Sequence, residues 1–260
     1  MAVRRASVVF LVLYALLIAL TIAIYSADLK IPMYLTPLIT LVGFIFGLLH
    51  ASLREGWTNT LRLLALVFGV SLLFESVGVA TGWIYGPYHY TDMLGPLFLG
   101  LVPYLIPVAW FMMSYPSFVI ADWLVPSAWK RWPRLLAVAA VGGIVMTAWD
   151  MVMDPVMVWG GHWVWDVEGP YYGIPLQNYW GWWLTVFVTY ALYLLLAGKR
   201  ERHTGSGFDR LPVLMYLAVG LGNILPLFIG GVGDLGLIGL FVMVPWVVAG
   251  WVRVSAQAQA

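Results

Sequence analysis

Residues 134–154 read RLLAVAAVGGIVMTAWDMVMD. Between Arg134 and Asp150 no residue carries a charge. At about 1.5 Å per helical residue, such a run climbs through most of a bilayer's hydrocarbon layer. It ends in two acids. On a helix Asp150 and Asp154 lie four residues apart and share a face, which Thr147 joins. Carboxyls are costly in lipid, so that face must turn to protein or to a wet cavity. The chain then continues as PVMVWGGHW, from Pro155 to Trp163.

The same kind of run recurs in both directions. The 260 residues are 62% hydrophobic and 10% charged, against roughly 25% charged in soluble domains. Apolar runs over 6–25, 32–50, 61–80, 97–125, 134–153, 180–198, 211–230 and 234–252 make eight candidate spans. They predict an all-α polytopic transmembrane helix bundle, forming one domain over residues 1–260. Alternating strands at regular spacing do not occur, which sets a lipid-facing barrel aside. The first run follows Arg4 and Arg5 but is too long for a signal core, and no small-residue cleavage site follows; it reads as a retained span. Pro103, Pro107 and Pro116 predict a kink or break in the fourth. The absence of Cys removes disulfides, thiol catalysis and thiolate metal sites.

Charge orients the bundle. Eight spans place both termini on one side. Of the thirteen Lys and Arg, that side takes all but Lys30, including Lys199, Arg200 and Arg202. The positive-inside rule makes it cytoplasmic, in a multi-pass protein of the cell membrane. Most acids fall the other way. Glu75 is thirteen residues past Arg62 and Asp150 sixteen past Arg134, which sets them about 20 and 24 Å up, in the outer half. Asp154, one turn higher, is expected near the headgroups. Two long aromatic outer loops, 81–96 and 154–179, are expected to act as lids over a site there.

Two carboxyls this close in a dry site do not both ionise, so the Asp150–Asp154 pair can split into acid and base. Asp154 before Pro155 reads equally well as the N-cap of a new helix. For Asp150 and Glu75 the functional reading leads, and the competing one is a buried interhelical hydrogen bond. Asn223, Gln177 and Asn178 suit packing or capping, and each could hold a water. Asp234 reads as an N-cap, and Asp92, Asp166 and Glu168 as solvated loop acids. His89 and His162 have no second His one turn away, so no metal site is expected. Trp149, Tyr85, Trp163 and Trp180 are candidate cavity walls, because ring faces stabilise cations and accept flat apolar ligands. The competing reading of such residues is an interfacial belt.

Three function classes suit this pattern. An acid in an aromatic cavity can protonate a trisubstituted alkene of a polyene or isoprenoid and direct water onto the tertiary cation, with no cofactor. A membrane prenyltransferase would use Asp-x-x-x-Asp to hold magnesium and a diphosphate, but the acidic side offers only Lys30 as a basic partner. A proton-coupled transporter would relay protons through the same acids, yet no inverted symmetry is evident.

Three stretches carry a resemblance. Phe74–Asp92 (FESVGVATGWIYGPYHYTD), Pro103–Trp110 (PYLIPVAW) and Ala148–Trp163 resemble, in order, the integral-membrane carotenoid-biosynthesis hydratases. That family includes bisanhydrobacterioruberin hydratases and hydratases acting on γ-carotene or lycopene ends. The resemblance covers about residues 60–250. It implies water addition across the terminal double bond of an acyclic ψ end group, giving a tertiary alcohol with no cofactor and no metal. The implied partners are a lipid-soluble carotenoid, water, the bilayer and other carotenoid-pathway enzymes, not nucleic acid. Glu75, Asp150 and Asp154 fit the family motifs. Chemistry then assigns the proton donor to Asp150 or Glu75, whichever is more buried, with Asp150 favoured. Asp154, nearer water, is the expected base. Trp149, Tyr85, Trp163 and Trp180 would shield the cation, with Asn223 a further substrate-binding residue.

Overall fold

A computed structural model of the chain describes residues 1–198, 200 and 207–257. Lys199 and Arg202 of the charge pattern lie outside the described residues. The helices are α1 (Ala2–Ser26), α2 (Leu35–Arg54), α3 (Trp57–Thr81), α4 (Leu105–Leu124), α5 (Arg131–Trp159), α6 (Leu176–Leu196), α7 (Leu211–Ile229) and α8 (Gly233–Gln257). All eight are long and apolar enough to cross a membrane, and the chain is a multi-pass membrane protein. Four short strands join them: β1 (Tyr88–Tyr90), β2 (Leu97–Phe98), β3 (Val102–Pro103) and β4 (Trp163–Trp165).

The post of the bundle is α4, which packs on α2, α3, α5, α7 and α8. Apart from Asp122 near its end it carries no charge, and it is buried on nearly every side, as a helix without a polar face must be. By contrast α1 and α8 expose Leu16, Val9, Phe241 and Val248, the apolar surface a bilayer would cover.

Two boundaries depart from the sequence reading. The fourth span starts at Leu105, not 97. Upstream of it, β2 and β3 form an antiparallel hairpin turned by Leu99 and Gly100, both at positive φ, as a tight primed turn demands. Pro107 falls in the first turn of α4, where no N–H is needed, and Pro116 is carried within the helix. Nor does Asp154 cap a new helix, since α5 continues through Pro155 to Trp159. Proline lacks the N–H that would bond the Met151 carbonyl four residues back. The Tyr171 hydroxyl donates to that carbonyl instead, at 2.9 Å.

The two long loops do not lie independently. They zip together as an antiparallel ribbon, Tyr88 opposite Trp165 and Tyr90 opposite Trp163. Alternation turns Tyr88, Tyr90, Trp163 and Trp165 inward and leaves His89 and Val164 exposed. His89 meets Asp166 at 2.9 Å on the outer face. At the opposite end of the bundle Arg54, Glu55, Asp122, Arg134 and Arg200 interlock as buried ion pairs. This clamp joins the α2–α3 turn to the ends of α4, α5 and α6.

Candidate active site

Beneath the ribbon lies a cavity of about 260 Å³, lined by every helix except α8. Its walls are mostly aromatic and aliphatic. Its acids are Glu75, from α3, and Asp154, from α5. No Lys, Arg or His among the described residues lines it.

Glu75 is held by three donors. The hydroxyls of Tyr88 and Tyr90 both donate to Oε2, the latter at 2.9 Å, and the Trp110 indole donates to Oε1 at 2.9 Å. Such a set matches a carboxylate, which accepts at both oxygens. Burial, and then the charge of Glu75, push the Tyr88 and Tyr90 phenols well above the usual tyrosine range. They keep their protons and remain donors.

Asp154 accepts from the Trp163 indole at 2.7 Å and from the Asn178 amide at 2.8 Å. The same Asn178 amide nitrogen donates to Asp150 at 2.9 Å. One NH₂ group thus bridges two carboxyls on successive turns of α5, which confirms their shared face. Thr147 does not join them by a hydrogen bond; its hydroxyl is buried without a partner among the described residues. Asp150 stands behind Asp154, off the cavity wall, and its Oδ1 is buried without a partner.

The expected wetness of Asp154 is corrected here. Asp154 is 1% exposed, against 0% for Asp150 and 3% for Glu75. The ribbon roofs all three, so height along α5 does not translate into contact with water. Glu75 and Asp154 share the cavity directly, and Asp150 reaches it only through Asn178.

Of the expected wall residues, Trp149, Tyr85, Trp163 and Asn223 line the cavity. Trp180 does not; it is 58% exposed on the outside of α6, stacked on Trp183. Its place is taken by Trp182, which stacks on Trp110 at 4.2 Å and meets the edge of Trp149 at 5.8 Å. Tyr85 is fixed by a hydrogen bond to Thr185 at 2.8 Å. Its ring lies where a Cβ on Gly78 or Gly181 would sit.

The residues that sequence reasoning missed are Tyr88, Tyr90, Trp110, Trp182 and the bridging role of Asn178. Only the first two carried a signal, the period of two in Tyr-His-Tyr that marks a strand. Gln177, expected to pack or cap, donates to the Gly82 and Trp83 carbonyls at the end of α3. Among the described residues no three of His, Asp and Glu converge as metal ligands.

A family model described as "Carotenoid biosynthesis protein" matches residues 10–245. One curated relative is the bisanhydrobacterioruberin hydratase of Haloarcula japonica, 38% identical over 120 residues. That match takes in 46% of this chain and 39% of the relative. No solved structure matches the chain.

Proposed function

Because the chain belongs to the carotenoid biosynthesis protein family, we propose that it is a carotenoid hydratase, a hydro-lyase that adds water across the terminal double bond of an acyclic end group. The observation that carries the reading is the meeting of two carboxyls, from α3 and α5, in one aromatic cavity that no cationic side chain among the described residues lines. Family membership lends no support to the prenyltransferase or transporter readings, and the relative's printed activity agrees with hydration.

The chemistry needs one acid and one base on the same alkene. Asp154 lies at the wall, and Asp150 stands one turn behind it on the same amide. Two carboxyls so placed, away from water, hold one proton between them. Asp154 delivers that proton to the less substituted alkene carbon, leaving a tertiary cation. The faces of Trp149, Trp110 and Trp182 shield the cation. Water forms the new C–O bond, and its surplus proton passes to Glu75, whose three donors suit a carboxylate. This reverses the role first expected for Asp154, because Asp150 does not reach the cavity.

A cavity of about 260 Å³ takes an end group rather than a whole carotenoid. The remaining polyene would leave between α1, α2 and α7, whose Ile18, Ile39 and Gly222 line the far wall. The charge pattern supports cytoplasmic termini and a site in the outer half of the cell membrane. Expression in a host that makes acyclic carotenoids tests the proposal. The expected product is a pigment heavier by one water, absent with Glu75→Gln or Asp154→Asn. Unchanged pigment with the native chain, or full activity in both variants, overturns it.

A further inference from the structure

At the end of the bundle opposite the proposed site, a hollow of about 520 Å³ opens between the start of α5 and the end of α6. It is lined by Arg131, Arg134 and Arg200 together with Leu135 and Leu194. We infer that this hollow binds the phosphate headgroup of an anionic membrane lipid, with the leucines taking the start of an acyl chain.

The inference rests on which guanidinium donors are already engaged. Arg200 is consumed: it donates to both oxygens of Glu55 and to Asp122, at 3.0 Å from one nitrogen to the latter. It forms wall, not ligand site. Arg134 is engaged on one side only. Its Nη2 donates to the Asp122 carboxylate at 2.6 Å and to the Asp122 carbonyl at 3.1 Å, while its Nε is buried without a partner among the described residues. Arg131 makes one hydrogen bond among the described residues, 3.5 Å to the Leu195 carbonyl, which is long, and its guanidinium lies over the Trp132 ring at 5.9 Å. Both arginines lie in the opening turns of α5, a helix of 29 residues. The first N–H groups of such a helix have no acceptor within it, and its dipole favours an anion there. Among the described residues of the clamp, Arg54, Arg134 and Arg200 face Glu55 and Asp122, three positive charges against two negative. Arg131 adds a fourth. Among the described residues, the arginines lining the hollow and its clamp thus outnumber the carboxylates they face, and Arg131 faces none.

Position selects the source of the anion. Trp129 and Trp132 flank the hollow in sequence and are 50% and 61% exposed, as indoles are where they anchor at the headgroup level of a bilayer. A guanidinium cluster with leucines at that level fits a phospholipid better than a free ion in water.

Binding to the purified full chain, delipidated in a neutral detergent, tests this. The probes are phosphatidylglycerol, phosphatidylcholine and inorganic phosphate, read by native mass spectrometry and by the shift in thermal midpoint. Phosphatidylglycerol should bind at least tenfold tighter than phosphatidylcholine and raise the midpoint. Arg131→Gln should weaken it about tenfold, and Arg5→Gln, an exposed basic change on α1, which packs on α2 and α7, should not. Arg134→Gln also loosens the Asp122 pair, so Arg131→Gln, outside the clamp, is the deciding variant. Equal binding of the two lipids, equal effects of the two variants, or inorganic phosphate matching phosphatidylglycerol would each overturn the inference.

Discussion

Asn178 gives one amide hydrogen to Asp150 and the other to Asp154, so it sets both the spacing and the orientation of the pair. Replacing it with Ala removes two donors and leaves two buried carboxyls to repel. In the proposed reaction this should lower turnover by about 10²-fold, with the protein still accumulating in the membrane. Pigment hydration per unit of folded protein measures it. Asn178→Asp, with a third acid at the site, should be worse still. Tyr90→Phe removes one of three donors to Glu75 and should cost about tenfold, because Tyr88 and Trp110 remain. Asp150→Asn tells the two readings of Asp150 apart. If that residue acts only through Asn178 and the shared proton, activity should fall but survive, whereas Asp154→Asn should abolish it.

At the scale of elements, the β1–β4 ribbon is what turns two loops into a roof. It brings Tyr88 and Tyr90 down on Glu75 and Trp163 down on Asp154 in one register, so a slip of one residue would aim His89 and Val164 inward. The ribbon depends in turn on how α5 ends. Tyr171→Phe leaves the Met151 carbonyl, already deprived by Pro155, without its donor. That should cost about 1 kcal/mol, read as a lower thermal midpoint of the purified protein. At Gly181 an added Cβ would lie 2.6 Å from the Ile84 carbonyl and from the Tyr85 ring. Gly181→Ala should therefore displace Tyr85 and reduce both stability and activity.

Across the whole molecule, the two ends are built differently. The proposed catalytic end keeps acids among neutral donors, and the other end pairs every acid of its clamp with arginine. Glu55 reports on the second. Burial alone would raise its carboxyl, but the Arg54 and Arg200 guanidiniums outweigh burial and hold it below the ordinary glutamate value. Folding thus favours the ionised form. Its contribution is fully present above the ordinary value of about 4.3 and is lost as pH falls through the depressed one. Thermal stability should drop across that acidic window, and Glu55→Gln should flatten the dependence while costing about 3 kcal/mol at neutral pH. Midpoints measured from pH 7 down to 3 for both proteins check the sign.

By itself the sequence determined the eight helices, the shared face of Asp150 and Asp154 and the lone acid of α3. Each follows from local rules of span length, helical period and the cost of charge in lipid, which need no knowledge of neighbours. It could not tell Trp180 from Trp182, because two positions along a helix turn a side chain from cavity to outside, and only the packing of α6 decides which faces in. Nor could it dry Asp154, bring Asn178 to it or seat Tyr88 and Tyr90 on Glu75. Those contacts join residues far apart in the chain, and they exist only once the loops pair and α5 lies against α6.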